Sequence, residues 1–311
     1  MTETPTFRRL CLIGIGLIAS SIARAAREHG LAETIVCASP DADHRREAVA
    51  LGLVEEAFAD NAEAVRGADL VILCTPPGVM GNVAREIAAD LAEGVILSDV
   101  GSVKQGVIDA VAPHLPDHVR FVPAHPIAGT ENSGPAAGFA SLFRGRWCVV
   151  TPNGHADAES VARLSAFWTA MGAEVEEMDA RHHDQVLAIT SHIPHLIAYN
   201  IVGTADDLET VTKSEVIKFS AAGFRDFTRI AASDPTMWRD VFLNNREAVL
   251  EMLARFSEDL ASLQRAIRWG DGETLFNLFT RTRAIRRAII DAGQDSAAPN
   301  FGRDTDGGGD D

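Results

Sequence analysis

Several things are scarce in this chain. Of its 311 residues only four are cysteine and one is tyrosine. Cys11, Cys37, Cys74 and Cys148 each stand alone in an apolar run without CxxC spacing. That pattern argues against a disulfide framework, a zinc cluster or a cysteine nucleophile, and suits small buried residues of a reduced, cytoplasmic protein. Basic charge is short as well: 28 Lys and Arg against 44 Asp and Glu leave a formal net charge of -16, which opposes binding to nucleic acid or to an anionic bilayer. No run of eighteen consecutive apolar residues occurs, and Met1-Thr2-Glu3-Thr4-Pro5 has neither the basic region nor the apolar core of a secretion signal. Neither membrane insertion nor export is expected.

A hydrophobic content of 46% over this length supports two domains with sizeable cores. Phe7 to Ile13 reads as a short buried strand, followed at once by Gly14-Ile15-Gly16-Leu17-Ile18-Ala19 and a helical pattern through Ala26. Gly14 permits a tight turn, Gly16 lets backbone approach a pyrophosphate, and the N–H groups from Leu17 to Ser20 face its charge. Ala19 stands where a third glycine is usual. Further apolar runs at Thr34 to Ala38, Asp69 to Cys74, Gly94 to Asp99, Arg120 to Ala124 and Trp147 to Thr151 alternate with helical stretches, predicting a doubly wound, mostly parallel α/β sheet. The loops Thr75-Pro76-Pro77-Gly78, Gly101-Ser102-Val103-Lys104 and the one around His125 then fall on its ligand-binding edge.

The acid that usually holds the adenine ribose is missing, since Cys37, Ala38 and Ser39 occupy its place. Asp41 is expected to cap the next helix. Arg45 and Arg46 could meet a 2′-phosphate, although on an exposed helix face they would merely be solvated. NAD is expected, with NADP open.

From about Ala180 to Ala292 the pattern is helical. Asp184, Ala188, His192, His195 and Tyr199 recur at spacings of three or four amid apolar residues, giving one helix a polar face that suits a lined cleft. His192 and His195 lack the HExxH arrangement and a third ligand, so no metal is expected. Pro194 should bend this helix. Ser233-Asp234-Pro235 reads as a helix start, followed by one long helix whose apolar positions from Trp238 through Leu253 and Phe256 to Ile267 suit a dimer seam. The Arg281, Arg283, Arg286, Arg287 cluster reads as a solvated helix side, and Gln294 to Asp311 as a disordered acidic tail.

Phe121-Val122-Pro123-Ala124-His125-Pro126-Ile127-Ala128-Gly129-Thr130-Glu131 sets a histidine between prolines where an apolar strand runs out. Prolines there bracket a strand end and a loop. This stretch joins Gly14 to Ala19, Asp99-Val100-Gly101-Ser102-Val103-Lys104, Ser191-His192-Ile193-Pro194-His195, and the run from Gly223 through Thr228-Arg229-Ile230-Ala231 to Trp238-Arg239-Asp240. Together they resemble the prephenate/arogenate (cyclohexadienyl) dehydrogenase family of tyrosine biosynthesis, over about residues 7 to 292.

The resemblance implies a Rossmann-like dinucleotide-binding domain over 1–179, an all-α substrate and dimerisation domain over 180–293, and the tail 294–311. It implies NAD(P)-dependent oxidative decarboxylation of prephenate and/or arogenate to 4-hydroxyphenylpyruvate and/or tyrosine, by a homodimer. His125 would accept the ring hydroxyl's proton, at a pKa expected near neutrality, with Ser102 a second contact to that hydroxyl. His195 and Arg229 would bind substrate, with Gly129 and Thr130. Gly14, Gly16, Leu17, Ile18, Ala19, Thr75, Pro76 and Ser102 would bind the cofactor. Choice between prephenate and arogenate stays open. Two alternatives are a dehydrogenase for hydroxy acids or imines that relies on Lys104, and a dinucleotide sensor without turnover.

Overall fold

The computed structural model describes residues 7–130, 132–212 and 222–291. Glu131 and the 294–311 tail lie outside the described residues. By its internal contacts the chain divides into a unit ending at Met252 and a second beginning at Leu253.

In the first unit, six strands form a parallel sheet in the order β3-β2-β1-β4-β5-β6: β1 Phe7–Ile13, β2 Ala32–Ala38, β3 Glu56–Phe58, β4 Leu70–Leu73, β5 Ile96–Asp99 and β6 Arg120–Phe121. Their cores are continuous apolar runs because helices cover both faces. Leu10, Leu12, Ile35 and Ile72 point into one core cluster, and Cys11, Ile13, Val71 and Leu73 into the other. Helices α1 (Leu17–Glu28), α2 (Ala42–Ala50), α3 (Asn61–Val65), α4 (Pro77–Ile87) and α5 (Gln105–Val111) make the crossovers. Burial pushes all four free thiols up, Cys37 to about 12.

The run expected as one strand over Arg120 to Ala124 is two. Val122 and Pro123 interrupt it, and the chain leaves the first sheet to form β7 (Ala124–Pro126), which pairs antiparallel with β8 (Trp147–Val150). β9 (Glu174–Glu177) completes this smaller sheet alongside β8, after α6 (Ala158–Ala170). His125 therefore lies within a strand, opposite Val149, and not in the loop after one. Proline at position 123 has no N–H to continue the first ladder, which accounts for the switch.

The helical portion opens with α7 (Ala180–Leu187), capped by Asp179, a π turn at Ala188–His192, and α8 (Ile193–Thr212). The wider π turn precedes Pro194, whose missing N–H could not extend an ordinary α ladder. The 28 residues Ala180–Asp207 form a helical stretch long and apolar enough, by length and composition alone, to cross a bilayer. Its buried His183, Asp184 and His192 are instead bonded to protein groups of the first unit. After α9 (Ala222–Thr228), the single long helix expected from Pro235 is broken into α10 (Pro235–Asn244) and α11 (Arg246–Trp269) at Asn245. Trp238 and Val241, expected on the apolar stripe of that helix, are buried within the chain in the sheet's second core cluster. α12 (Gly272–Asp291) is the last described helix.

Candidate active site

The carboxyl ends of the parallel strands are tied in line: Gly14 N donates to Ala38 O (2.8 Å), Cys74 N to Ile13 O (2.8 Å) and Val100 N to Leu73 O (3.2 Å). At this edge Gly14 adopts φ +91°, and a Cβ there would stand 2.9 Å from the Cys74 carbonyl oxygen. Glycine is required at that turn by both conformation and space. A Cβ at Gly16 would meet nothing within 4 Å, and α1 starts behind it with no side-chain cap. Its first-turn N–H groups at Leu17, Ile18 and Ala19 suit an anion. Ala19 is fully buried in the core, where a small residue lets α1 approach β1. Thr75 Oγ1, beside Gly14, is buried with no hydrogen-bond partner among the described residues, and Pro76 stands at the N-cap position of α4 without a side-chain capping bond. An open glycine turn, an uncapped helix start and an orphaned hydroxyl fit the pyrophosphate of a dinucleotide.

At the second-strand end, Asp41 Oδ1 accepts from Asp43 N (2.7 Å) and His44 N (3.0 Å) as the cap of α2. Arg45 Nη1 donates to the carbonyls of Ser39 (2.5 Å) and Pro40 (3.0 Å), which holds its guanidinium at the end of β2. Arg46 pairs with Asp43.

Next to the glycine turn, three segments are cross-bonded around His125. Lys104 Nζ donates to Asp99 Oδ2 (2.5 Å) and to the carbonyl of Ala124 (2.7 Å), so the loop after β5 grips the residue preceding His125. Asp184 on α7 accepts from Lys104 N (2.8 Å) and Gln105 N (2.9 Å). Its Oδ1 also lies 2.9 Å from His183 Nδ1, and His183 Nε2 lies 2.9 Å from His125 Nδ1. Asn245 Nδ2 donates to the Asp184 carbonyl (2.8 Å) and lies 3.1 Å from His192 Nδ1. That use of Asn245, a weak helix former, coincides with the break between α10 and α11.

Burial holds His125 well below the usual histidine range, and His183, Lys104 and His192 add to this. The pKa near neutrality expected from sequence is thereby corrected downward. Ser102 is half-buried on the loop that Lys104 anchors. Gly129 is exposed with open space at its Cβ position, and Thr130 Oγ1 accepts from Asn132 N (3.2 Å) within its own loop.

His195 belongs to the first turn of α8. Its Nδ1 lies 2.8 Å from the Ser191 carbonyl, and its ring stacks on Trp238 at 3.6 Å and 22°. Burial lowers its pKa, and nearby Arg229 lowers it further, so these two expected substrate contacts are neighbours. Tyr199, the chain's one tyrosine, donates to the Ser233 carbonyl (2.7 Å) and ties α8 to the start of α10. Sequence reading passed over His183 and Asn245. The adjacent Asp184 occupied the periodic position, and a polar residue within an apolar heptad gave no sign of a helix break.

Residues 22–177 match the family model described as prephenate dehydrogenase, nucleotide-binding domain, and residues 179–281 match prephenate dehydrogenase, dimerization domain. The chain belongs to the prephenate dehydrogenase family. Among relatives, it is 42% identical to the cyclohexadienyl dehydrogenase of Zymomonas mobilis over 283 residues, 91% of this chain and 96% of that one. It is 31% identical to the prephenate dehydrogenase of Bacillus subtilis, covering 90% of this chain and 76% of the relative. The crystal structure of the Aquifex aeolicus prephenate dehydrogenase in complex with hydroxyphenyl propionate and NAD+ superposes with a TM-score of 0.84 at 30% identity, covering 91% and 98% of the two chains. Membership in the prephenate dehydrogenase family makes this chain an oxidoreductase with a Rossmann-like nucleotide-binding domain.

Proposed function

We propose that the chain catalyses NAD-dependent oxidative decarboxylation of prephenate or arogenate, in the cytoplasm, as a homodimer. The observation that carries this reading is the placement of His125: buried, held neutral, and next to Ala124, whose carbonyl accepts from Lys104 on the loop that carries Ser102, near a glycine turn that suits a dinucleotide. A neutral imidazole is the form able to take a proton.

The bound nicotinamide supplies a hydride acceptor. The chain's own residues do the rest. His125 takes the proton from the ring hydroxyl as the C–H bond beneath it gives up hydride, and Ser102 holds that hydroxyl. The ring carboxylate leaves as carbon dioxide, its bonding pair entering the ring and making it aromatic, while the former hydroxyl oxygen takes its proton back from His125 and becomes the phenol. Arg229, with His195 and the loop of Gly129 and Thr130, binds the substrate; a guanidinium fork suits a dicarboxylate. Gly14, Gly16, Leu17, Ile18, Ala19, Thr75 and Pro76 hold the cofactor. A boundary between the sheet domain and the helical domain at residues 179 and 180 draws support from the two family matches, 22–177 and 179–281.

Homodimer assembly draws support from the match to a dimerization-domain model and from exposed apolar side chains on α11 and α12. Following absorbance at 340 nm with NAD or NADP against prephenate and arogenate tests the whole reading. Turnover of at least one pair with release of carbon dioxide is expected; none with any pair overturns it. With Arg229→Ala, substrate KM should rise by about tenfold or more, because a charge-assisted contact contributes roughly 1.5 to 3 kcal/mol. Cofactor affinity should stay nearly unchanged.

A further inference from the structure

The chain Asp184 Oδ1, His183 Nδ1, His183 Nε2, His125 Nδ1 is continuous, with links of 2.9 Å at each step. Hydrogen placement along it follows from elementary chemistry. A carboxylate only accepts, so His183 Nδ1 carries a hydrogen and donates to Asp184. In a neutral imidazole the other nitrogen is then bare, so His183 Nε2 accepts, and the donor across from it is His125 Nδ1–H. His125 Nε2 is left as the bare nitrogen.

Burial and the nearby Lys104 lower the His183 pKa in spite of Asp184, which favours that neutral form. The two rings meet edge-on, with centroids 5.1 Å apart and planes at 75°, the arrangement expected when an in-plane nitrogen of one addresses an in-plane nitrogen of the other. Asp184 itself is fixed by two backbone donors, Lys104 N and Gln105 N, and its carbonyl by Asn245. Nothing in this arrangement requires His183 or Asp184 to touch substrate.

We infer that His183 and Asp184 are positioning residues which lock His125 into the Nδ1-protonated tautomer, so that Nε2 is the atom that receives the substrate's proton. When Nε2 takes that proton, the new imidazolium already donates through Nδ1 to His183, whose dipole is oriented by the Asp184 carboxylate. The lock serves the proposed dehydrogenation and rests on that reading for its purpose, though the tautomer exists without substrate.

Long-range proton–nitrogen correlation on the full-length protein labelled with 15N-histidine reads each ring directly, with no ligand present. The groups facing His125 are Lys104 on the loop after β5, itself paired with Asp99, Cys148 on β8, His183 on α7 and His192 in the π turn. The spectrum is therefore taken at neutral pH, where these histidines are uncharged. His125 should show a protonated Nδ1 and a bare Nε2, assigned by the signals lost in His125→Asn. An Nε2-protonated His125 overturns the inference outright, whatever the activity.

Two variants add a kinetic reading. His183→Leu removes the acceptor, and should mix the His125 tautomers and lower kcat by about ten- to a hundredfold, the size of effect seen when a metal-bound histidine loses the partner that orients it, while substrate KM changes little. His183→Gln can set its side-chain oxygen near the former Nε2, and should restore both the tautomer and most of the lost kcat. A Leu variant with wild-type kcat, or a folded Gln variant as slow as the Leu one, overturns the inference. Absence of turnover in the wild type with the expected tautomer present would instead overturn the proposed reaction and leave the lock standing.

Discussion

Lys104 and Asp99 form an ion pair at 2.5 Å with neither side chain exposed to solvent, and the same ammonium reaches the Ala124 carbonyl at 2.7 Å. Its donors face inward. Burial raises the Asp99 pKa, against the pull of Lys104 and the Gly101 amide. A lysine so placed pins the end of β5 to β7 and gives no purchase for a dehydrogenase mechanism that uses Lys104 on substrate. Lys104→Met would strand a buried carboxyl, and removing one partner of such a pair typically costs about 3 to 5 kcal/mol. The midpoint of chemical denaturation should fall accordingly. A stable Lys104→Met protein with a selective loss of turnover would instead return Lys104 to the chemistry.

The parallel sheet and its glycine turn were legible because period and spacing are local: apolar runs bounded by glycine, then a helix. The site was legible where a motif sits in one stretch, as at His125. What escaped depends on distant partners. Pro123 could have been a strand terminus, and only pairing with Val149 and Cys148 shows that the chain enters a second sheet. His183 was hidden because helix periodicity favoured Asp184, while the π turn after Leu187 shifts which residues face inward. Asn245 breaks a helix for the sake of two bonds made across 61 and 53 residues of chain. Such bonds leave no trace in hydrophobic periodicity.

His192 gives stability a pH dependence. It is fully buried and its pKa falls from 6.5 to about 4, chiefly through burial; Asp184 and the Ser102 backbone pull it back, while His183 and His195 push it further. Below pH 6.5 the unfolded chain protonates this ring and the native one does not, so stability falls as pH drops toward 4 and levels off beneath it. A shift of that size corresponds to about 3 kcal/mol. In His192→Asn the amide oxygen can still accept from Asn245 without titrating. Guanidinium unfolding at pH 7 and pH 5 should show a smaller pH loss in the variant than in the wild type, and equal losses would sink the assignment.

Unit two exposes apolar side chains that a monomer would leave in water. Leu260 is 53% exposed, Ile267 67%, Phe276 70% and Phe279 57%. Leu253 and Phe256, expected in the seam, are already half-buried within the chain and are poorer probes. Aspartate at Leu260 and Phe276 would bring unpaired charge into an apolar contact. Sedimentation should show a wild-type dimer and a variant that dissociates or aggregates, whereas a monomeric wild type rules out the proposed assembly.

His125 carries the last prediction. Because burial holds its pKa well below the usual 6.5, the imidazole stays neutral through the whole physiological range. As a base it works only when unprotonated, so kcat/KM for the free enzyme should stay flat through pH 7 and fall only at pH values well under 6.5. Asn in place of His125 can keep a hydrogen bond to the substrate but cannot take its proton. Turnover should slow by about 10² to 10⁴, the usual range for general acid–base catalysis, with substrate binding much less affected. The acid limb should vanish with it. Near-wild-type turnover in His125→Asn, or an unchanged acid limb in that variant, would move the proton-accepting role to Ser102 or His195.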